Sequence, residues 1–410
     1  MRRLLLRITL VAALSAGLLL PALPAFADFS DVPKSHWAYD AIMYMAWDNT
    51  WMQDYGTSKF HPDTFESRKF LARTLVELYA PSEPIDPTIT FPDLPTDDPF
   101  YPYANVSVKL DWIKRGGEGK FNPDNSVKWR KFDKALIRAM GLWDEIDGLN
   151  ALHQDDGTVY DHHSNFAEMD LARWFGLHYN HDDESEDLQI NNKTPRSEVA
   201  WGIYTALNLS QWELDSATKF DNISLPAVNS SKEAMTQYMI DEIGPPYIWG
   251  GEWDAKSPPG YCCGSQPQGG YDCSGWVWWT TKKNEDGYNA AQYHPDYSGW
   301  HLAERTSSDM AAGTADHLTY KELEAGNLMF FASNGGNNAS DVDHVGVYLG
   351  NGWMFHSTSG GPFIEWVADG WYRDNYVWGR KLFRDGNGGS PRLPEKPASD
   401  VLAGEAPVTP

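Results

Sequence analysis

The feature that most limits how this chain can fold is an internal repeat over residues 28–210. Phe29-Ser30-Asp31-Val32-Pro33 recurs 62 positions later as Phe91-Pro92-Asp93-Leu94-Pro95. Phe60-His61-Pro62-Asp63 recurs as Phe121-Asn122-Pro123-Asp124, and Arg68-Lys69-Phe70 as Arg130-Lys131-Phe132. A unit this short buries little apolar surface alone, so its copies must pack against one another. Each unit reads as helix, turn-rich loop, helix. In the first copy Ile42, Met45 and Ala46 fall at helical spacing, and so do Phe70, Leu71, Leu75 and Leu78. Copies are expected at 28–82 and 90–144. A degenerate third, at 160–210, carries Phe166, Leu171, Trp174, Phe175 and Leu177 and ends in a helix after Thr194-Pro195.

The flanks read differently. Arg2, Arg3 and Arg7 precede an apolar run from Ile8 to Leu20, and Ala25-Phe26-Ala27 follows, the pattern of a secretory signal over residues 1–27. The run is short for a membrane span, so a protein outside the cytoplasm with no span after cleavage is expected. Loss of three arginines would make the formal charge of −24 more negative still. Such acidity argues against nucleic acid as a partner. With 19 tryptophans and 14% aromatics, most rings must be core, and the surplus suits contact with glycans. Residues 211–229 lose periodicity and read as a linker. Residues 230–384 read as a second folded domain, and the Pro-, Ala- and Glu-rich 385–410 as a disordered tail.

Three cysteines in a secreted chain leave at least one without a partner inside it. Cys273 lies in Gly270-Tyr271-Asp272-Cys273-Ser274-Gly275. The following Trp276–Thr281 fits a strand or a buried helix equally. If Cys273 starts a helix, the amide dipoles there favour thiolate and offer an N–H to an oxyanion. A cysteine nucleophile also needs a base and a group to orient it. Downstream, Leu328–Phe331, His344–Leu349 and Trp353–Ser357 read as strands, the last two joined through Gly350-Asn351-Gly352. A three-residue loop of Leu349–Asn351 would set His344 directly opposite His356, side chains about 5 Å apart. A two-residue loop would shift the register by one and separate them. Either histidine could instead be a satisfied core residue.

With these motifs in view, two resemblances can be stated. Residues 28–210, with Phe-x-Asp-Val, His36-Trp37-Ala38 and Phe60-x-Pro62-Asp63, resemble the S-layer homology repeats of bacterial surface proteins. That resemblance implies an all-α, pseudo-threefold domain that holds a secondary cell-wall polymer in its grooves. Trp37, Arg68, Arg130, Arg196 and Glu198 stand at the matching positions, while Phe70 and Phe132 replace the acid in the first two copies. A structural role for the arginines, bracing helices, is the competing reading.

Residues 230–384 resemble the NlpC-type cell-wall cysteine peptidases, an α+β papain-like family with an antiparallel sheet. The marks come in the family's order: Gly244-x-Pro246-Tyr247-x-Trp249-Gly250-Gly251, Gly270–Gly275, Arg305-Thr306-Ser307, Leu323–Phe331 and His344–Tyr348. The resemblance implies Cys273 as nucleophile, His344 as base and acid, and His356 as the group orienting it. Tyr247, Asp272, Ser274 and Arg305 would contact substrate. The reaction implied is hydrolysis of peptidoglycan stem peptides, between D-γ-glutamate and the diamino acid, without a cofactor. A non-catalytic envelope protein, and an amidase or acyltransferase on the same scaffold, are the alternatives. The loop before Gly270 carries Cys262-Cys263, which could pair with each other, engage Cys273, or stay reduced. The spaced ligand pairs of a zinc site are missing.

Overall fold

The structure is a computed structural model. It describes residues 28–56, 58–183, 186–253, 269–281, 302, 304–314 and 317–382. The expected signal segment, the Cys262-Cys263 pair and the 385–410 tail lie outside the described residues. Among the described residues no helix is long and apolar enough to cross a membrane.

The first repeat holds α1 (Tyr39–Ile42), continued as a π-helical turn over Met43–Asp48, and α2 (Arg68–Tyr79). The second holds α3 (Tyr101–Lys109) and α4 (Trp129–Ala139), followed by α5 (Trp143–Asn150) and the short β1 (His153–Gln154). The third holds α6 (Phe166–Trp174) and α7 (Arg196–Leu207). Asp31 and Asp93 show why the Phe-x-Asp motif recurs. Each carboxylate accepts two backbone N–H groups of the loop that follows, Phe60 and His61 in one copy, Phe121 and Asn122 in the other.

The three copies close on themselves. Glu66 N–H donates to Thr194 O, Thr194 N–H to Val127 O, and Val127 N–H to Glu66 O, at 2.9, 2.9 and 2.8 Å. A second set repeats the pattern: Arg68 N–H to Asn125 O, Trp129 N–H to Asn192 O, Arg196 N–H to Thr64 O. This cycle corrects the alignment of the repeats. The counterpart of Arg68 and Arg196 in the second copy is Trp129, and Arg130 matches Lys69 and Ser197. Likewise Lys131, rather than Phe132, matches Phe70 and Glu198. The first residues of α2, α4 and α7 agree. The sequence misled because Arg-Lys-Phe recurs one residue out of step with the backbone.

The expected linker is largely ordered. Ser210 caps α8 (Gln211–Ala217) in a reciprocal pair with Glu213. A 3₁₀ turn then buries Phe220, and β2 (Ser224–Leu225) pairs with β1. Burial of single residues, which leaves no period to read, holds this segment.

The second domain begins with α9 (Ser230–Asp241), capped by Asn229, whose side chain accepts the Lys232 N–H. A two-stranded ladder of β3 (Glu252–Trp253) and β4 (Gly270–Tyr271) leads into α10 (Cys273–Thr280), so the ambiguous tryptophan-rich run is helix. Then come α11 (Ser307–Ala312), β5 (Leu328–Phe331), β6 (His344–Gly350), β7 (Trp353–Thr358), β8 (Gly361–Trp366), α12 (Gly370–Asp374) and β9 (Tyr376–Arg380). The five long strands form an antiparallel sheet in the order β8-β7-β6-β5-β9. Alternation sends Leu328, Phe330, Val345, Val347 and Phe355 into the main core with Trp276 and Trp279. Met329, Phe331, Tyr348 and Met354 pack in a smaller cluster with Val367.

Candidate active site

Cys273 is the first residue of α10, and Asp272 is its cap, accepting the Gly275 N–H at 2.5 Å. Around this turn lies a buried bracket. Arg305 donates to Asp272 Oδ1 at 3.1 Å, to Asp272 Oδ2 at 3.2 Å, to Ser274 Oγ at 2.8 Å, and to the carbonyls of Gly250 and Gly251. Asp272, Ser274 and Arg305 are all nearly enclosed. The expectation that these three contact substrate is therefore corrected: their polar atoms are committed to one another and hold the turn. Gly275 is required here, because a Cβ would sit 2.0 Å from Gly251 O. Tyr247 is half-buried in the neighbouring segment, where Tyr271 N–H donates to Pro246 O and Ile248 N–H to Tyr271 O.

The thiol lies against the start of β6. Its sulfur is 3.9 Å from Asp343 O, and the Val345 N–H points at it, so the contacts fall on either side of His344. Burial, with Asp272 adding to it, pushes the Cys273 thiol up to about 12, against the opposing pull of the Val345 N–H and Arg305. Burial likewise lowers His344 to about 4, against Asp343 and Asp272. His356, wholly enclosed, is held well below the ordinary histidine range by burial and by His344. These shifts leave the thiol protonated and both imidazoles neutral at neutral pH.

His344 Nε2 lies 2.8 Å from His356 Nδ1. The pairing differs from the hairpin expected. The turn has two residues, Asn351 and Gly352, both at positive φ (51° and 89°), and Gly350 pairs with Trp353. That loop alone would put the histidines on opposite faces. A bulge at Leu349 restores the parity, so that Tyr348 pairs with Met354 and Val347 with Phe355. Continued, this register sets Gly346, not His344, across from His356, and the histidines meet on the diagonal. A Cβ at Gly346 would lie 2.4 Å from Met354 Sδ and 3.0 Å from His356 Cβ.

Aromatic rings complete the surroundings. Phe363 lies 4.7 Å from the His356 ring, and Tyr372 lies 5.2 Å from His356 and 6.2 Å from His344. Neither ring belongs to a motif. Phe363 is found only once β8 is paired with β7, and Tyr372 only once α12 is folded over the sheet. Asp343 is not the orienting acid, since its carboxylate accepts from Ser333. Among the described residues no cluster of three or more His, Cys, Asp or Glu side chains is arranged for a metal. A surface cavity of about 670 Å³ lies at the opposite end of β6, between Asn229, Tyr320 and the β6–β7 turn, away from Cys273.

Of the expected polymer-binding residues, Trp37 and Glu198 meet at His181, while the arginines lie apart from them. Arg196 is fully enclosed, pairing with Asp54 (2.7 Å) and Glu66 (3.0 Å) and donating to Met52 O and Phe60 O. Its guanidinium is spent inside the domain, which corrects its assignment to a polymer groove. Arg68 makes the matching contacts to Phe121 O and Lys114 O and is half-buried. Arg130, one position on in the true alignment, makes no such bracket. Trp37 stacks on Tyr179, and Glu198 bonds His181 at 2.5 Å.

Residues 244–381 match the model of the NlpC/P60 family. The bifunctional muramidase/DL-endopeptidase CwlT of Bacillus subtilis (strain 168) is 33% identical over 145 residues, 35% of this chain and 35% of that protein. The murein DD-endopeptidase MepH of Escherichia coli (strain K12) is 32% identical over 171 residues, 41% of this chain and 51% of that protein. An S-layer protein of Bacillus licheniformis is 27% identical over 166 residues, 36% of this chain and 17% of that protein. The chain thus spans about half or less of the length of these relatives. Residues 244–381 carry an NlpC/P60 domain.

Proposed function

We propose that the protein is a cell-surface peptidoglycan endopeptidase that cuts stem peptides with Cys273 as nucleophile, His344 as base and His356 as its orienting group. The observation that carries this reading is the 2.8 Å contact of His344 Nε2 with His356 Nδ1, together with a helix-N-terminal cysteine whose sulfur meets the β6 backbone on either side of His344. With Nε2 occupied, His344 has only Nδ1 left to take the thiol proton. As the sulfur attacks the stem-peptide carbonyl, that proton moves to Nδ1, and the oxyanion meets the Cys273 N–H, with Tyr247 as second donor. The imidazolium then protonates the leaving amine, a thioester remains, and water activated by His344 releases the acid and restores the thiol. The names of CwlT and MepH support the substrate class but point to different bonds. The D-γ-glutamyl–diamino acid bond is the one we assign, on the resemblance. Secretion and attachment to a wall polymer through the repeats belong to the same proposal, supported by similarity to an S-layer protein.

The test is digestion of purified peptidoglycan by the mature protein and by Cys273→Ala, with fragments identified by mass. New stem-peptide ends from the wild type alone are expected. The raised thiol favours a second reading, a glycopeptide-binding protein that does not cut. Equal silence from both proteins with binding retained would select it.

A further inference from the structure

The first helix of the third repeat, α6, does not stand apart from the second domain. It lies along β8, the edge strand of the five-stranded sheet. Asp170, Arg173 and Trp174 share one face of α6 by their i, i+3, i+4 spacing, and all three reach across. Asp170 is fully enclosed, and its Oδ1 accepts the Ile364 N–H at 2.9 Å, a donor that an open edge would leave to water or to another chain. Arg173, also enclosed, donates to Gly244 O at 2.5 Å and lines the space against Gly360 and Gly361. Trp174 Nε1 donates to Glu365 Oε1 at 2.9 Å.

Both contacts lead to the cysteine site. Ile364 follows Phe363, which pairs with His356 and touches its ring. Gly244 opens the segment that ends in Tyr247, and Gly361 packs on Pro245 O in the same segment. A single helical turn thus braces the strand behind the orienting histidine and the segment that carries the second oxyanion donor. Arg173 also lies 3.9 Å from Asp133, and burial raises the Asp170 carboxyl well above its ordinary range. Asp170 Oδ2 and Arg173 Nε have no hydrogen-bond partner among the described residues, so the joint rests on the Ile364 N–H and Gly244 O contacts.

We propose that Asp170 and Arg173 are positioning residues for the cysteine site, so that the third repeat is a working part of the peptidase and not only its tether. The inference rests on the endopeptidase reading for its kinetic part alone. A tether affects only intact walls, where it raises local concentration. A positioning helix affects a small soluble substrate equally.

The experiment uses the full chain and a soluble stem-peptide fragment. Asp170→Ala and Arg173→Ala should each lower kcat by about tenfold or more, the scale of a site displaced by a fraction of an ångström, with KM little changed. Asp170→Asn, which still accepts the Ile364 N–H, should restore most of the rate. Arg173→Lys, which loses the fork, should not. In parallel, iodoacetamide labelling of Cys273, followed by peptide mass mapping, should be several-fold faster in the alanine variants as the site opens. Wild-type rates and labelling in folded alanine variants would overturn the proposal. If the alanine variants do not fold, Arg173→Lys decides: unchanged kcat and labelling overturn it. If the wild type cuts nothing while labelling still accelerates, the endopeptidase reading fails and the positioning joint stands.

Discussion

His344 and His356 meet across a diagonal of the sheet, Nε2 to Nδ1 at 2.8 Å, with Gly346 filling the place directly opposite His356. The contact exists because a bulge at Leu349 and a two-residue turn cancel each other's change of face. The remaining nitrogen of His356, Nε2, has no protein partner, so the pair is tied at one end only.

This arrangement makes Gly346 as critical as the histidines. Gly346→Ala should drive its methyl into Met354 and His356 and destabilise the domain by about 1–3 kcal/mol. Turnover should fall as well, read as kcat on stem peptide alongside a thermal melt. His356→Ala should keep the fold but lower kcat by about 10²-fold or more, since His344 loses its orienting partner. A His356→Ala enzyme at wild-type rate would remove His356 from the mechanism.

Acid should be tolerated further than an ordinary histidine allows. Because burial lowers His344 to about 4, it remains an unprotonated base at pH 5, and the acid limb of kcat/KM should fall near pH 4 instead of 6.5. The same depression has a stability consequence of definite sign. An unfolded chain takes up this proton near pH 6.5, the folded one near 4, so folding stability is full above 6.5 and declines between 6.5 and 4. Urea titrations at pH 7 and pH 5 check it.

The thiol should be sluggish at rest. With Cys273 raised to about 12, its iodoacetamide labelling should climb roughly in proportion to hydroxide from pH 7 to 10 with no plateau. A plateau near pH 7 would instead indicate a resting thiolate–imidazolium pair.

Arg305 should be structural. Arg305→Ala leaves the Asp272 carboxylate enclosed without its partner, a loss of about 3–5 kcal/mol. Arg305→Lys should recover little, because one ammonium cannot replace a fork that spans Asp272, Ser274 and two carbonyls. Differential scanning calorimetry reads this directly.

Arg196 should behave the same way in the repeats. Arg196→Ala strands Glu66 in the interior and leaves Asp54 with Arg73 alone, and should cost about 3–5 kcal/mol. Adding Glu66→Gln should return part of that loss, since burial already pushes Glu66 up to about 7. A stable Arg196→Ala protein that merely fails to bind cell walls would reverse this assignment.

Much of this was legible in sequence where the signal is local. The strands around Phe330, Val347 and Phe355, and the company of Cys273, could be read from apolar runs and short motifs. What the sequence hid depends on counting across space. The bulge at Leu349 carries no residue signature of its own, so the histidine register was off by two. The slip between Arg68 and Arg130 was hidden by a chance recurrence of three residues. Asp272, Ser274 and Arg305 read as substrate contacts because motifs mark importance without saying which way a side chain faces. The α6–β8 joint was invisible, since Asp170 and Arg173 look like ordinary surface charges until the helix is docked.

The cycle of backbone bonds through Glu66, Val127 and Thr194 also sets a counting rule. An open stack of repeats can lengthen by duplication, because each new copy meets only its neighbour. Here every copy both gives and receives in a closed loop, so a fourth would have no unpaired donor or acceptor to join. The third copy, the most divergent in sequence, is the one whose helix α6 packs on β8 of the second domain.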